Sequence, residues 1–452
     1  MWFVSETLAL WLGGLIACLI HQASDAEWEL IARHGWLKLL LLVAFVQLSF
    51  YLFDLYDVRS LFGRGIVFRL AKAYGLAGVV LALLFYTVPW LRMGRGMFLI
   101  SIGCTFAISL VLRLAADWYA GHPRLGIRER ILILGSGNLA IETARATLER
   151  PGSGFSVVGF VDDRPELLGV SLINPKLIGL TGDLERVVDD YNVDRIVVAV
   201  EDRRGRFPIE GLLKLRLSGR VVVEESACYY ERLTGKIATE MLRPSWLIFS
   251  RGGRSSEFEQ RLRYIANVIA AGICFLACLP VMLIAAIAIK MESRGPVLYL
   301  QTRVGRDNRL FKIIKFRSMD AHAEMESGPV WASVGDPRVT RVGRVIRKLR
   351  IDELPQFINI VKGDMNFIGP RPERPEFVTQ LSEKIPYYSE RHLVRPGLTG
   401  WAQIRFPYGA SLKDAAEKLR YDLYYIKNQS WLLDAIIVFE TFKIVLFGRG
   451  AR

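Results

Sequence analysis

RIDELPQFINIVKGDMNFIGPRP, residues 350–372, is the stretch that decides how the whole chain is interpreted. It places the adjacent carboxylates Asp352 and Glu353 ahead of a turn rich in Gly, Pro and Arg. Four arginines precede it at three-residue spacing, roughly along one side of a helix: Arg338, Arg341, Arg344 and Arg347. Alone, an acidic pair is usually surface charge, and such an arginine series is usually a solvated face or an anionic-lipid contact. The combination favours a phosphate site.

Carboxylates beside arginines suit phosphoryl transfer. One guanidinium group can bind two phosphate oxygens at once, and its charge neutralises the charge of the phosphoryl group as that group moves. One carboxylate can attack phosphorus to form an acyl phosphate, and its neighbour can hold Mg²⁺, which takes oxygen ligands. The five cysteines and five histidines show no ligand spacing, so metal chemistry here would use oxygen ligands.

The N-terminal quarter of the chain has the composition of a membrane bundle. Its four apolar stretches are 2–20, 37–53, 70–91 and 97–112. Each approaches the ~20 residues that a helix needs to cross a bilayer. We therefore predict a four-helix transmembrane bundle over residues 1–118. The first stretch carries Glu6, and it lacks the basic start and cleavage site of a signal peptide.

Loop charges predict the orientation of this bundle. The loop after the first stretch is acidic and the loop after the second is basic, with Asp25, Glu27 and Glu29 in one and Arg59, Arg64, Arg69 and Lys72 in the other. Positive charge favours the cytoplasmic side, so both ends of the bundle are predicted to be cytoplasmic. The formal net charge of +14 then suits anionic lipid and phosphorylated substrates, and no nucleic acid is expected as a partner.

Residues 119–255 alternate β-branched runs with helical patterns, which predicts a Rossmann-like parallel α/β domain. Its first strand runs into a GxGxxA turn with Gly135 and Gly137, and Asp162 ends the next strand, where a ribose-binding carboxylate would lie. Nucleotide binding and simple tight packing of helix on strand remain equal alternatives. A dehydrogenase or epimerase is disfavoured, because no tyrosine is followed by a lysine four residues later.

A fifth apolar run covers residues 264–289 and contains Pro280. A straight helix of this length would cross the membrane and carry the C-terminus outside. Proline removes a backbone hydrogen bond and kinks helices, so the run could instead turn back and leave by the face that it entered. Periodicity alone does not choose between the two.

Three further motifs, KFRSM, VRPGLTGWAQI and YDLYYIKN, together with the opening stretch, resemble the sugar transferase domain of the monotopic phosphoglycosyl transferases. The bundle and Rossmann-like domain resemble the large members, of the undecaprenyl-phosphate glucose or galactose phosphotransferase type. The resemblance implies an α plus α/β membrane protein with a mainly helical catalytic domain over residues 256–452. It also implies transfer of a sugar phosphate from a UDP-sugar donor to a polyprenyl phosphate acceptor, with Mg²⁺.

The resemblance also assigns roles to single residues. Asp352 would be the nucleophile that takes the phosphosugar, and Glu353 its partner at Mg²⁺. Arg347 matches the arginine that faces the polyprenyl phosphate, and Arg371 with Pro372 matches the phosphate-binding GPRP turn.

Three further positions follow from the resemblance. Lys315 belongs to KFRSM, and Asp422 is the acidic residue of YDLYYIKN near the active site. Pro280 fits the helix-breaking position of the re-entrant membrane helix, although Leu279 stands where a serine often precedes that proline. We favour membrane-interface anchoring for Trp401 and for the pair Tyr424 and Tyr425 over contact with sugar.

Substrate supply then favours the re-entrant alternative, because nucleotide sugars are cytoplasmic. The expected location is the bacterial inner membrane with the catalytic domain on its cytoplasmic face, in contact with the lipid bilayer. Downstream glycosyltransferases are expected as partners, and a homodimer through the bundle or the middle domain is left open. The rival hypotheses are a non-catalytic scaffold for polysaccharide assembly and a membrane-anchored nucleotide-sugar dehydratase or epimerase.

Overall fold

The computed structural model describes residues 2–21, 35–56, 66–91, 93–120, 128–150, 153–200, 208–239, 257–320, 336–406, 409 and 411–447. Some of the loop charges that predict the orientation lie outside these residues, namely Asp25, Glu27, Glu29, Arg59 and Arg64. The chain divides into two units, one formed by 1–132, 147–158 and 186–195 and the other by 133–146, 159–185 and 196–452.

Four apolar helices begin the chain, as predicted: α1 (Trp2–His21), α2 (Gly35–Leu52), α3 (Ile66–Thr87) and α4 (Arg95–Ala120). The last three are long and apolar enough to cross a membrane, and α1 has a shorter apolar part. Glu6 of α1 forms an ion pair with the buried Arg113 of α4, which also donates to the carbonyl oxygen of Leu55 at 2.9 Å. The charge on Glu6 is therefore neutralised inside the bundle, as an ionisable group in a membrane requires.

A five-stranded sheet with helices follows. Its strands are β1 (Glu129–Leu134), β2 (Phe155–Asp162), β3 (Leu177–Leu180), β4 (Arg195–Val198) and β5 (Val222–Glu225). Its helices are α5 (Asn138–Leu148), α6 (Leu184–Asp190), α7 (Ile209–Leu217) and α8 (Ser226–Thr234). The strand order is β3-β2-β1-β4-β5, and β2 pairs in parallel with β3. This order is that of doubly wound nucleotide-binding folds. The predicted strand before the glycine turn is β1, and the predicted strand that Asp162 ends is β2.

The fifth apolar run lies in α9 (Glu257–Glu292), a helix of 36 residues that continues through Pro280. The predicted break at Pro280 is not confirmed. Contacts near both ends of the helix join it to the C-terminal segment. Asn267 accepts a hydrogen bond from the N–H of Phe367 at 2.8 Å, and Glu292 accepts one from the N–H of Arg341 at 2.7 Å. Its opposite face exposes large apolar side chains at Ile265, Ile269, Ile273, Leu276, Leu283, Ile284 and Ile287.

Short elements and two long helices complete the C-terminal segment. An antiparallel hairpin is formed by β6 (Leu298–Val304) and β7 (Leu310–Phe316), and a parallel pair by β8 (Asn366–Ile368) and β9 (Gly397–Thr399). The helices are α10 (Arg341–Lys348), α11 (Phe357–Lys362), α12 (Pro375–Lys384), α13 (Trp401–Arg405), α14 (Leu412–Lys427) and α15 (Trp431–Phe447). The prediction of a mainly helical segment is confirmed.

The predicted anchoring of aromatic residues at the membrane interface is wrong for Trp401 and Tyr425. Both are buried, and the ring of Trp401 stacks on Tyr424 with centroids 5.7 Å apart. The hydroxyl of Tyr425 donates to Asp434 at 2.9 Å. These stacking and hydrogen-bond contacts hold α13, α14 and α15 together.

Candidate active site

The acidic pair lies in a 3₁₀ helix, Ile351–Gln356, that follows α10 after a tight turn. Arg350 forms the turn with a φ of 54°, in the left-handed region that side chains other than glycine rarely adopt. The turn places Asp352 and Glu353 in the first turn of the 3₁₀ helix.

The arginine series is shorter on the helix than predicted. Thr340 caps α10 by accepting a hydrogen bond from the N–H of Gly343 at 2.9 Å, so the helix begins after it. Arg338 lies before the cap and donates to Asp336 at 2.6 Å, and its predicted place on the helix is wrong. Arg347, on the last turn of α10, is close enough to lower the pKa of Asp352.

Glu353 is the buried member of the pair, and cations surround it. One carboxylate oxygen accepts a hydrogen bond from Arg371 at 2.6 Å and lies 3.6 Å from Nζ of Lys315, while the other is 3.7 Å from Arg350. Burial acts to raise the pKa of Glu353, but Arg371 and Lys315 together hold it well below its usual range. Glu353 is therefore ionised, and its charge is already engaged.

Asp352 is in a different state although it is the next residue. It is half-buried, and no described residue donates a hydrogen bond to its carboxylate or pairs with it. Burial, with a smaller contribution from the charge of Glu353, raises the pKa of Asp352 to about 6. At neutral pH this carboxylate is mostly ionised, more basic than an ordinary aspartate, and free to react.

Lys315 reaches the pair from β7, where its backbone pairs with Tyr299 of β6. Burial lowers the pKa of Lys315, and the charge of Glu353 opposes this shift. Arg303 of β6 donates to the carbonyl oxygen of Pro372 at 3.2 Å. Sequence reasoning missed Arg303, because its partner is a main-chain oxygen of a turn distant in sequence.

Glycines allow the turn that carries Arg371 and Pro372 to pack against β9. A Cβ atom at Gly369 would lie 2.5 Å from the carbonyl oxygen of Arg395, and one at Gly397 would lie 2.1 Å from the nitrogen of Gly369. Main-chain hydrogen bonds of 2.9 Å join Gly369 to Thr399 and Gly397 to Pro370. The backbones at Gly369 and Gly397 approach each other so closely that neither position has room for a side chain. This contact fixes the position of the Arg371 backbone, from which its side chain extends.

Asp422 lies behind this turn rather than beside the acidic pair. It is 2% exposed, and it accepts a hydrogen bond at 2.8 Å from Arg391, which also donates to the carbonyl oxygen of Arg371 at 3.0 Å and to the hydroxyl of Tyr388 at 2.6 Å. Burial raises the pKa of Asp422 to about 6, against the charge of Arg391. Sequence reasoning missed Arg391, since no spacing distinguishes it from neighbouring arginines.

In the α/β region, the glycine turn after β1 packs closely against neighbouring backbone, and the nearby Asp162 is hydrogen-bonded. Gly135 has a φ of +112°, and a Cβ atom there would lie 2.8 Å from the carbonyl oxygen of Ala199. Gly137 precedes α5, whose Ile141 donates to its carbonyl oxygen at 3.1 Å. Asp162 accepts hydrogen bonds from Ser136 at 2.5 Å and from Nε of Arg164 at 3.1 Å. Packing alone explains Gly135, and nucleotide binding by Gly135, Gly137 and Asp162 stays a prediction.

The donor set at the acidic pair fits one kind of metal ion. Among the described residues no group of three or more His, Cys, Asp or Glu side chains could enclose a metal. Mg²⁺, however, is commonly held by one or two carboxylates, with water and substrate phosphates as its other ligands. Glu353 supplies one ionised carboxylate beside Asp352, so this donor set fits Mg²⁺ that is held by one carboxylate together with a pyrophosphate.

Comparison with known proteins gives a consistent result. Residues 258–448 match the family model described as bacterial sugar transferase. An Aeromonas hydrophila protein named UDP-N-acetylgalactosamine-undecaprenyl-phosphate N-acetylgalactosaminephosphotransferase is 54% identical over 41% of this chain and 44% of its own length.

Two longer matches reach beyond the C-terminal segment. The undecaprenyl-phosphate glucose phosphotransferase of Komagataeibacter xylinus is 32% identical over 76% of this chain and 64% of its own length. The UDP-glucose:undecaprenyl-phosphate glucose-1-phosphate transferase of Escherichia coli (strain K12) is 32% identical over 76% of this chain and 72% of its own length. The matches thus span less than two thirds of the first two relatives and more than two thirds of the third. The chain therefore belongs to the bacterial sugar transferase family.

Proposed function

We propose that this protein transfers a sugar 1-phosphate from a UDP-sugar to polyprenyl phosphate in two displacements. A carboxylate oxygen of Asp352 attacks the phosphorus next to the sugar, the bond from that phosphorus to the bridging oxygen breaks, and UMP leaves. A phosphate oxygen of the polyprenyl phosphate then attacks the same phosphorus and the bond to Asp352 breaks. The products are polyprenyl-diphosphate-sugar and the regenerated carboxylate.

The observation that carries this proposal is the contrast between two adjacent carboxylates. Glu353 accepts a hydrogen bond from Arg371 and lies near Lys315 and Arg350, so fixed cations balance its charge. Asp352 has no such partner among the described residues, and the pKa of about 6 makes it a better nucleophile than an ordinary aspartate while leaving it ionised at pH 7. A site with one held and one free carboxylate suits covalent catalysis.

The cations around the pair have separate tasks in this scheme. Lys315 and Arg371 hold Glu353, and their remaining N–H groups can donate hydrogen bonds to phosphate oxygens of the UDP-sugar. Arg347 acts on Asp352 from α10, where we place the acceptor phosphate. Charge that develops on the transferred phosphoryl group is thus met by fixed cations, the usual source of acceleration in phosphoryl transfer.

Mg²⁺ completes the proposed site, with Glu353 as the residue that would hold it. When bound, the ion would neutralise charge on the pyrophosphate and so favour departure of UMP. The protein side chains orient the donor and supply the nucleophile.

The contacts of α9 support placing both of its ends on one side of the membrane. Arg263 forms an ion pair with Asp434, and Glu292, about 43 Å further along the helix axis, binds the start of α10. Both partners belong to the C-terminal segment, which a straight crossing would have to divide between two compartments. We place the exposed apolar face of α9 in the cytoplasmic leaflet of the bacterial inner membrane, with α15 along the surface.

The donor sugar and the further partners belong to the proposal as well. UDP-glucose and UDP-galactose are the expected donors, and the relative with 54% identity is named for N-acetylgalactosamine. The lipid-linked product would pass to downstream glycosyltransferases. Two copies of the chain could pair as a homodimer.

A release assay tests this function directly. Purified protein is incubated with polyprenyl phosphate, Mg²⁺ and one UDP-sugar from a panel of glucose, galactose, N-acetylglucosamine and N-acetylgalactosamine, and UMP is measured. We expect release with at least one donor, loss of release with EDTA, and recovery on adding Mg²⁺. No release with any donor would favour the scaffold hypothesis, and a changed sugar without UMP would favour the epimerase or dehydratase.

Labelled donor without acceptor tests the covalent step. Radioactivity from the sugar phosphate should remain on the protein after denaturation and map to Asp352. Turnover without such a trapped species would leave the transfer intact and overturn the two-displacement mechanism.

A further inference from the structure

A stretch of the chain that precedes the family match packs into residues 258–448, which we call the catalytic segment. The match begins at residue 258, whereas the stretch covers residues 230–237, the end of α8 and the turn after it. Ile237 is 3% exposed and belongs to one apolar cluster with Tyr388 and Leu423 of the catalytic segment. We name residues 230–237 the strap.

Both main-chain and side-chain hydrogen bonds join the strap to α14. The N–H of Ile237 donates to the carbonyl oxygen of Arg420 at 3.0 Å, and Nε of Arg420 donates to the carbonyl oxygen of Ile237 at 3.0 Å. Arg420 also donates to the hydroxyl of Tyr230 at 3.0 Å. At the C-terminal end of α14, Lys427 and Asn428 each bind Glu231 at 2.6 Å. The strap therefore holds about two turns of α14.

A glycine in the strap makes the closest approach. Gly235 has a φ of +68°, its carbonyl oxygen accepts a hydrogen bond from Nε1 of Trp401 at 2.7 Å, and a Cβ atom there would lie 3.1 Å from the Trp401 ring. The same ring stacks on Tyr424 of α14. A side chain at Gly235 would thus press on both α13 and α14.

The helix held in this way carries Asp422. Asp422 binds Arg391, and Arg391 binds both the Tyr388 hydroxyl and the carbonyl oxygen of Arg371, the residue that holds Glu353. Tyr388 lies in the same cluster as Ile237. A continuous series of contacts therefore leads from the strap to the acidic pair.

We propose that the strap, together with Asp422 and Arg391, is a positioning element of the active site, through which the α/β region sets the geometry of the pair Arg371 and Glu353. This inference rests on the proposed transferase function and deepens it. The strap contacts α13 and α14 rather than the acidic pair, so we expect it to affect the rate of the chemical step rather than donor affinity. A displacement of catalytic groups by as little as ~1 Å can cost about 10²-fold in rate.

The test compares two glycines in the full-length chain. Gly235→Ala and Gly219→Ala introduce the same side chain at nearly the same φ, +68° and +70°, but nothing lies within 4 Å of a Cβ atom at Gly219. Backbone strain is therefore matched, and only the contact with Trp401 differs. We expect Gly235→Ala to lower kcat for UMP release about tenfold with KM for the donor unchanged, and Gly219→Ala to leave kcat unchanged.

Amide hydrogen exchange in residues 369–374 gives a readout that does not depend on activity. It should be faster in Gly235→Ala than in Gly219→Ala, because the contacts that hold Arg371 are loosened. Equal kcat and equal exchange in two folded variants would overturn the inference. If the unchanged protein released no UMP, the proposed function would fail, and the exchange experiment would still decide the positioning role.

A second pair decides the matter if Gly235→Ala does not fold. Glu231→Gln weakens the link to Lys427, whereas Glu185→Gln weakens an exposed pair with Lys214 that involves no strap residue. We expect Glu231→Gln to lower kcat and to speed exchange at residues 369–374 relative to Glu185→Gln. Identical values in the two variants would sink the proposal.

Discussion

Two regions of this protein carry a carboxylate next to an arginine and a glycine turn, yet they differ in one respect. In the α/β region, Asp162 is bound by Ser136 and Arg164, and although burial opposes the shift, Arg164 lowers its pKa. In the catalytic segment, Glu353 is bound in the same manner, but Asp352 is not, and its pKa is raised to about 6. The comparison indicates that the pattern of acid, arginine and glycine alone does not distinguish the two regions, and that the proposed mechanism depends on the one carboxylate that folding leaves without a partner among the described residues.

The largest test of this comparison removes the free carboxylate. Asp352→Asn should lower UMP release by more than about 10³-fold, because a covalent mechanism has no substitute for its nucleophile. The matched variant Asp162→Asn, in the α/β region, should retain turnover. Rates are measured at saturating donor and acceptor with equal amounts of folded protein. Substantial turnover by Asp352→Asn would remove the basis of the comparison.

The next test compares the arginine that binds Glu353 with the arginine that binds Asp162. Arg371→Lys keeps the charge but loses the planar fork that binds Glu353, so kcat should fall about 10²- to 10³-fold, the order found when one fixed electrostatic contact is lost from a site. Arg164→Lys alters a half-exposed ion pair and should leave kcat unchanged, as most exposed pairs contribute little. Equal effects of the two substitutions on kcat would mean that the α/β region takes part in the chemistry.

The pKa of Asp352 predicts a smaller effect with a definite sign. The nucleophile must be ionised, so kcat/KM should fall as pH drops through about 6 and be lower by about tenfold near pH 5. Asp422 also has a pKa raised to about 6, so the pH profile is recorded for Asp422→Asn as well. If Asp352 causes the acid limb, the limb persists in Asp422→Asn at reduced kcat. Its disappearance would assign the limb to Asp422.

Features that depend on residues close together in the sequence could be predicted, whereas features that depend on contacts between distant residues could not. The bundle, the parallel sheet and the acidic pair depend on local patterns or on contiguous motifs. Arg391 was not predicted, because its role depends on a carbonyl oxygen of a turn brought near by folding. Trp401 was assigned to the membrane interface, because aromatic composition does not reveal that Gly235 would supply its hydrogen-bond partner. The path of α9 through Pro280 likewise depends on packing along the whole helix, beyond what a proline indicates locally.

The smallest effect on activity, and a measurable one on stability, is expected at the glycine turn of the α/β region. Gly135→Ala places a Cβ atom 2.8 Å from the carbonyl oxygen of Ala199 at a φ of +112°, so it should lower the free energy of unfolding by about 1–3 kcal/mol. Gly169→Ala, at a φ of +78° with nothing within 4 Å, isolates the conformational part of that cost. Thermal or denaturant unfolding measures both.

Turnover of the folded Gly135→Ala protein decides what the turn is for. If this glycine serves only the packing of helix on strand, kcat equals that of Gly169→Ala once the folded fraction is matched. If the turn holds a nucleotide instead, added UMP or UDP should raise the unfolding temperature of the unchanged protein, and Gly135→Ala should abolish that increase while Gly169→Ala preserves it. That result would make the α/β region a ligand-binding domain, and the contrast with the catalytic segment would then be between two occupied sites of which only one carries a reactive carboxylate.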